Sequence, residues 1–177
     1  DYRVINGDFA VANPITVHQG RLFAGQCFPG GQVVELDIQT GAKRVIMAEA
    51  PMPNAFSVGP DGMLYMPMMA TNEIWRVPLD GGSHEVVAGD LGVPDSVKFD
   101  SKGRIVSTQV ASGQVLRIDP QTGAREVLAQ CGPGLDNCTF VGDRIFVSSI
   151  SGHVSEILPD GVVRPLVEEG LQWPMGL

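Results

Sequence analysis

A repeat with a period of roughly 40 residues, four short strand patterns in each period and the absence of any sustained helical spacing predict an all-β chain, a β-propeller of four-stranded antiparallel blades. The period emerges when Ala12-Asn13-Pro14-Ile15-Thr16-Val17, Pro53-Asn54-Ala55-Phe56-Ser57-Val58, Pro94-Asp95-Ser96-Val97-Lys98-Phe99 and Leu135-Asp136-Asn137-Cys138-Thr139-Phe140 are aligned. The second position reads Asn13, Asn54, Asp95 and Asp136, at equal intervals along the chain. A partial fifth copy begins at Trp173. A strict period means one supersecondary unit repeated in an array. A sandwich of short strands, the alternative, has no need of one.

The unit is clearest between Pro53 and Gly92. Ala55 to Gly59 reads as a first strand, closed by the turn Pro60-Asp61-Gly62. Met63 to Met68 is the second strand, Glu73 to Leu79 the third, and Ser83 to Ala88 the fourth, after Asp80-Gly81-Gly82. Val, Ile, Phe, Tyr and Trp are prominent in these runs, and Gly, Pro, Asp or Asn bounds each of them. Asp-Gly and Gly-Gly supply the positive φ angles of tight antiparallel turns. The other copies repeat the plan. Asp37-Ile38-Gln39-Thr40-Gly41 and Asp119-Pro120-Gln121-Thr122-Gly123 are near-duplicates separated by two periods, and Leu158-Pro159-Asp160-Gly161 is a shorter version.

The chain reads as one domain over residues 1–177, with blades starting near 13, 54, 95 and 136 and a partial one from 173. Asn6-Gly7-Asp8-Phe9 aligns with Ala88-Gly89-Asp90-Leu91, so the first residues are expected inside a fourth strand, and the last, up to Leu177, inside a first strand. These overlapping ends leave two readings, a closed four-bladed propeller with an overlapping end and, favoured, four blades of a larger ring such as one of six. Unpaired blade edges make a dimer a possible outcome.

Composition narrows the function. The chain is 44% apolar and 18% charged, as a globular domain is, and has no apolar run long enough to span a membrane. A net charge of −8, with 12 Lys and Arg in no block, argues against nucleic acid or an anionic membrane as partner. A small molecule is the expected partner. No signal peptide pattern is present at the first residues, and a soluble chain is expected, with the cytoplasm slightly favoured. Cys27, Cys131 and Cys138 have no metal spacing and read as free thiols. His18, His84 and His153 occupy different places in their repeats, and Ser148, Ser149 and Ser151 lack an evident His and carboxylate set.

The recurring Asn/Asp position carries the chemistry. In a propeller the first strand of each blade lines the central channel, so one position per first strand faces one level of the axis. Asn13, Asn54, Asp95 and Asp136 are therefore expected to form an arc of side-chain oxygens. Two carboxylates and two amides are hard donors that suit one divalent cation: calcium best, with magnesium, manganese or zinc as alternatives. Two confined carboxylates repel, and a cation between them relieves that. Capping of each strand by its own Asn or Asp is the bland alternative.

At these residues the chain resembles the family of senescence marker protein (regucalcin), gluconolactonase and luciferin-regenerating enzyme. Asn13 with Gly20-Arg21-Leu22-Phe23-Ala24-Gly25, Pro53-Asn54 with Asp61-Gly62-Met63-Leu64-Tyr65, and Pro94-Asp95 with Val115-Leu116-Arg117-Ile118-Asp119-Pro120-Gln121-Thr122-Gly123 are similar to three blades of that family, in order. The resemblance implies a six-bladed propeller with one divalent ion in the channel, usually calcium, and hydrolysis of a lactone or similar ester. It implies Asn54 and Asp95 as metal ligands, Asp95 also as general base, and Asn13 beside the metal in contact with substrate. Asp136 and Ser96 join Asn13 as candidate substrate contacts, Ser96 standing where the family commonly has glycine.

Departures qualify the resemblance. The family's glutamate ligand has no equivalent here, and Val11 stands in place of the arginine that binds sugar acids. Phe28, Met66, Met68, Met69 and Trp75 suggest a more apolar pocket. Two other readings remain open: a non-catalytic propeller that serves as a binding platform, and another propeller enzyme of the strictosidine-synthase or streptogramin-lyase kind.

Overall fold

The computed structural model of the chain describes residues 2–9, 12–28 and 31–176. Its strands fall into four sheets of four, each antiparallel and each in chain order. The first holds β1 (Ala12–His18), β2 (Arg21–Gln26), β3 (Val33–Leu36) and β4 (Lys43–Met47). The second holds β5 (Ser57–Val58), β6 (Met63–Met68), β7 (Glu73–Pro78) and β8 (Glu85–Ala88). The third holds β9 (Lys98–Phe99), β10 (Ile105–Thr108), β11 (Gln114–Ile118) and β12 (Arg125–Gln130). The fourth holds β13 (Leu135–Val141), β14 (Arg144–Ser149), β15 (Val154–Ile157) and β16 (Val163–Val167). Among the described residues there is no helix. These are four blades of a propeller.

The second strand of each blade explains the packing. In β6, Leu64, Met66 and Met68 point to the layer shared with blade 1, beside Phe23, Val33 and Phe56. Tyr65, one residue out of phase, points the other way, into the layer shared with Ile105 and Leu116 of blade 3. A strand buried on both faces must be apolar at every position, and so these strands show continuous runs without alternation. Val106 and Val115 of blade 3 meet Cys138, Ile145 and Val147 of blade 4 in the same manner. Emptying one of these sites, for example Phe56→Ala, costs about 3–5 kcal/mol. Met66 and Met68 therefore belong to the core between blades and not to a pocket wall.

Two expectations are corrected. The first strand of blade 2 is only Ser57–Val58, shorter than the expected Ala55 to Gly59. The reason is local: the Ala55 N–H is held by Asn54 Oδ1 at 2.9 Å, and its carbonyl accepts from Val97 N of blade 3 at 2.9 Å. Neither group is free to extend the ladder with β6. The second correction concerns the ends. Residues 2–9 form no strand, nor do 173–176, and Leu177 lies outside the described residues.

Residues 2–9 nevertheless occupy a fourth-strand place. A Cβ on Gly81, Gly123 or Gly161 would stand 3.1, 2.6 or 2.8 Å from the carbonyl oxygen of Ile46, Val87 or Leu128, in the outer strand of the preceding blade. Gly41 meets the Ile5 carbonyl in the same way, at 2.2 Å. Ile5, Ile46, Val87 and Leu128 follow one another at the interval of the Asn/Asp column, so the period reaches into the start of the chain. The outer strands also carry cross-strand ion pairs: Arg76–Glu85 at 2.7 Å, Arg117–Glu126 at 2.9 Å, and Glu156 between Arg144 and Arg164.

Candidate active site

The Asn/Asp column stands where each blade's first strand breaks register. In β1 the pairing slips between Ala12 and Asn13, and in β13 between Leu135 and Cys138, across Asp136. In blades 2 and 3 the preceding prolines make isolated bridges, Pro53 with Met68 and Pro94 with Gln109, before pairing resumes at β5 and β9. Such irregularities bend a strand and re-aim one side chain. The backbone beneath is held the same way in both middle blades: Asn54 N donates to Pro67 O and Asp95 N to Thr108 O, each at 3.0 Å.

Three of the four column residues form a hydrogen-bonded arc. Asn13 Nδ2 donates to Asn54 Oδ1 at 3.4 Å, and Asn54 Nδ2 donates to Asp95 Oδ1 at 2.6 Å. The sense of the Asn54 amide is fixed by its neighbours. Its oxygen faces the Ala55 N–H, a donor only, while its nitrogen faces the Asp95 carboxyl and the Met69 thioether, 3.2 Å away. Asp136 makes no side-chain hydrogen bond among the described residues, but its charge reaches Asp95.

Burial and charge set the acidity of the site. Asp95 is 3% exposed, and burial pushes its carboxyl up to about 8, with the Asp136 charge adding to the effect. Burial also raises Asp136. Cys27, buried just after β2, is raised by burial and then by the Asp95 charge. Among the described residues no Lys or Arg is placed to offset either carboxylate.

Ser96 is not brought to the arc. Adjacent residues of an extended chain point to opposite sides, and with Asp95 at the arc the Ser96 hydroxyl is buried between blades, 2.7 Å from Thr108 Oγ1 and 3.4 Å from Cys138 Sγ. Thr108 was not singled out in the sequence. Its carbonyl takes the Asp95 N–H and its hydroxyl donates to the Asp136 carbonyl, so it ties the two acidic positions together from below. Gln109, fully buried, holds the loop before Asp95 by accepting from Gly92 N at 3.0 Å. The one sequence signal for this pair was the polar run Ser107-Thr108-Gln109 after Ile105-Val106. Met69 contacts the site, whereas Phe28 and Trp75 line a cleft beside it. Val11 lies outside the described residues.

The residue types suit a divalent cation. The column supplies two carboxylates and two carboxamides, all with hard oxygen atoms, and burial raises both carboxylates. The Asn54 amide, whose nitrogen faces Asp95, would turn its oxygen to such an ion. Among the described residues no group of three or more His, Cys, Asp and Glu is placed to hold a metal, so the amides are needed to complete such a set. No helix of the described residues is long and apolar enough to cross a membrane.

Comparisons with known proteins give the family and the fold. The sequence model for the SMP-30/Gluconolactonase/LRE-like region matches residues 12–151. No curated protein matches the sequence. Among solved structures, a gluconolactonase from Xanthomonas campestris is similar with a TM-score of 0.78 at 18% identity, over 96% of this chain and 66% of that one. A streptogramin B lyase is similar with a TM-score of 0.75 at 16% identity, over 96% and 58%. A structure of a nidogen/laminin complex follows with 0.74 at 18%, over 88% and 62%. The chain thus spans between 58% and 66% of these structures' length. At such identities the likeness is one of fold alone.

Proposed function

The chain belongs to the SMP-30/gluconolactonase/LRE-like family, and on that premise we propose a metal-dependent hydrolase that opens a lactone or similar ester, with Asp95 as general base. The observation that carries this reading is the Asp95 carboxyl, buried in the arc and held in place by the Asn54 amide at 2.6 Å. A general base must be positioned within reach of the proton it takes. Asn54 and Asp95 would hold the cation, calcium by preference, with Asn13 and Asp136 alongside. A bound divalent ion supplies a Lewis acid for a carbonyl oxygen.

The chain's own residues then account for the proton. Asp95 takes one from a water molecule as the water oxygen bonds the acyl carbon. The carbon–oxygen bond to the leaving alkoxide breaks, and the proton passes from Asp95 to that alkoxide. Asn54 orients the carboxyl and limits its rotation, and Thr108 keeps Asp95 and Asp136 at a fixed separation through backbone contacts. Asn13 and Asp136 are exposed enough to meet substrate.

The test is turnover of a lactone panel with calcium, magnesium, manganese and zinc, in the wild type and in Asp95→Asn. Metal-dependent opening that the variant loses supports the reading, and undiminished opening in the variant ends it. One observation favours a second reading, a propeller lyase that uses an imidazole. His153 Nδ1 lies 3.4 Å from Ser151 Oγ, and Ser149, bonded to Ser151 at 2.7 Å, pairs with Leu135 next to Asp136. His153→Ala abolishing activity while Asp95→Asn spares it would favour that alternative.

A further inference from the structure

A cleft of about 870 Å³ runs between blades 1 and 2 and opens beside the arc. Its size suits a drug-sized ligand. It joins the arc through a short chain of contacts. Met52, in its wall, accepts from Met69 N at 3.0 Å, and the Met69 thioether accepts from Asn54 Nδ2 at 3.2 Å. Met52 is also two residues before Asn54 in the chain, and Cys27, just after β2, lines the cleft as well.

The lining has a definite chemistry. Phe28 and Met47 stand on the blade 1 side, and Trp75 on the blade 2 side. The Trp75 ring stacks on His84 with centroids 3.9 Å apart and planes 5° apart. Its indole N–H is already satisfied by Glu73 at 2.7 Å, so the ring offers apolar area and no free donor. Phe28 is 53% exposed at the rim, a large aromatic left in water. Glu49 is the only carboxylate of the described lining, and no Lys or Arg accompanies it. An anionic group finds no positive partner in this lining and meets Glu49, and a polyhydroxylated ring finds few partners for its hydroxyls.

We propose that this cleft takes the apolar tail of the substrate, so that the lactone or ester opened at Asp95 carries an alkyl or aromatic chain and no anionic group. The proposal rests on the hydrolase reading for the head group, whereas the tail site stands on the cleft itself. The occupant follows from continuity: a ligand whose carbonyl meets the arc has the cleft as the adjoining apolar space.

The test separates the two. In a Trp173→Phe background, where Trp75 is the sole tryptophan, emission is titrated with 2-octylcyclohexanone, a carbocyclic mimic of a tailed δ-lactone that water cannot open. Cyclohexanone and gluconate are the comparisons. A saturable change with the octyl ketone, at concentrations where neither comparison gives one, is expected. Phe28→Ala, whose half-exposed side chain leaves the core untouched, weakens that binding about tenfold, and Met52→Glu abolishes it. Equal binding of the octyl ketone and cyclohexanone, or an unchanged Kd in Phe28→Ala, overturns the tail site. Turnover of octyl-substituted and unsubstituted δ-lactones is measured alongside. Tail binding without turnover of either sinks the hydrolase and keeps the cleft assignment. Turnover with no preference for the tail keeps the hydrolase and sinks the assignment.

Discussion

The Asn54 amide donates to the Asp95 carboxyl across 2.6 Å, joining the mouth of blade 2 to that of blade 3. One hydrogen bond and no cation cannot fully offset a carboxylate that is 3% exposed, and the carboxyl is left at about 8. The metal-free site therefore favours a proton on Asp95 at neutral pH. The same groups that would hold an ion cost stability when they are charged without one.

This gives a pH prediction with a definite sign. The folded-state pKa of Asp95, about 8, is raised above its ordinary 3.8. The contribution is fully present below about pH 4 and is lost as pH rises through about 8. Metal-free protein is expected to lose thermal stability between these values, and Asp95→Asn, which cannot ionise, to flatten that slope. Tm against pH in the presence of a chelator measures both. An identical slope in the variant would place the effect elsewhere. In the loaded enzyme the same variant lowers turnover at least about 100-fold, while far-ultraviolet dichroism stays unchanged.

A cation should reverse that penalty. At about 100 times its dissociation constant a ligand stabilises the fold by roughly 2.7 kcal/mol, on the order of 5–10 °C in Tm for a chain of this length. Calcium added back after chelation is expected to give such a rise at pH 8, with a smaller one from magnesium. Asn54→Ala and Asp95→Ala are expected to lose it. A rise that persists in both variants would put the ion outside the arc.

The arc was legible in the sequence because a strict period turns a channel position into a column of letters, Asn13, Asn54, Asp95 and Asp136. What the period could not show is the direction of a neighbour. Ser96 has the chemistry of a ligand but lies on the other side of the strand, where Thr108 and Cys138 engage it. Met66 and Met68 looked like pocket residues because β6 is apolar at every position; burial on both faces accounts for that run, and only contacts separate them from Met69, at the site. Strand length in blade 2 was misjudged because Ala55 gives its backbone groups to Asn54 and Val97, a choice made in tertiary structure. The cleft, assembled from segments far apart in the chain, had no local signature beyond Phe28 and Trp75.

Acid stability depends on a different set of carboxylates. Glu35, held by Arg21 and Arg44, and Glu156, held by Arg144 and Arg164, are both lowered to about 2 by those guanidinium hydrogen bonds. Their folded-state values are depressed, so their contribution is present above the ordinary 4.5 and is lost as pH falls through about 2. Glu156→Gln is expected to lower Tm at pH 7 and to reduce the difference in Tm between pH 5 and pH 2. A difference as large as that of the wild type would show that the Arg144–Glu156–Arg164 cluster contributes nothing to acid unfolding.

The repeat also sets where a side chain cannot be added. Gly123 has φ +70° and a Cβ there would stand 2.6 Å from the Val87 carbonyl oxygen of blade 2. Gly142 has a similar φ, +61°, and open space around the same position. Alanine at Gly142 meets only the left-handed backbone penalty, about 1–2 kcal/mol. Alanine at Gly123 meets that penalty and a contact with rigid backbone, which forces blades 2 and 3 apart at their outer edge. Gly123→Ala is therefore expected to lower Tm by more than Gly142→Ala does, and Gly161→Ala, at 2.8 Å from the Leu128 carbonyl, to behave like Gly123→Ala. Equal losses at all three positions would mean that backbone conformation alone requires the glycines. A larger loss at 123 and 161 would locate the blade-to-blade approach that Gly41 and Ile5 repeat in the first blade.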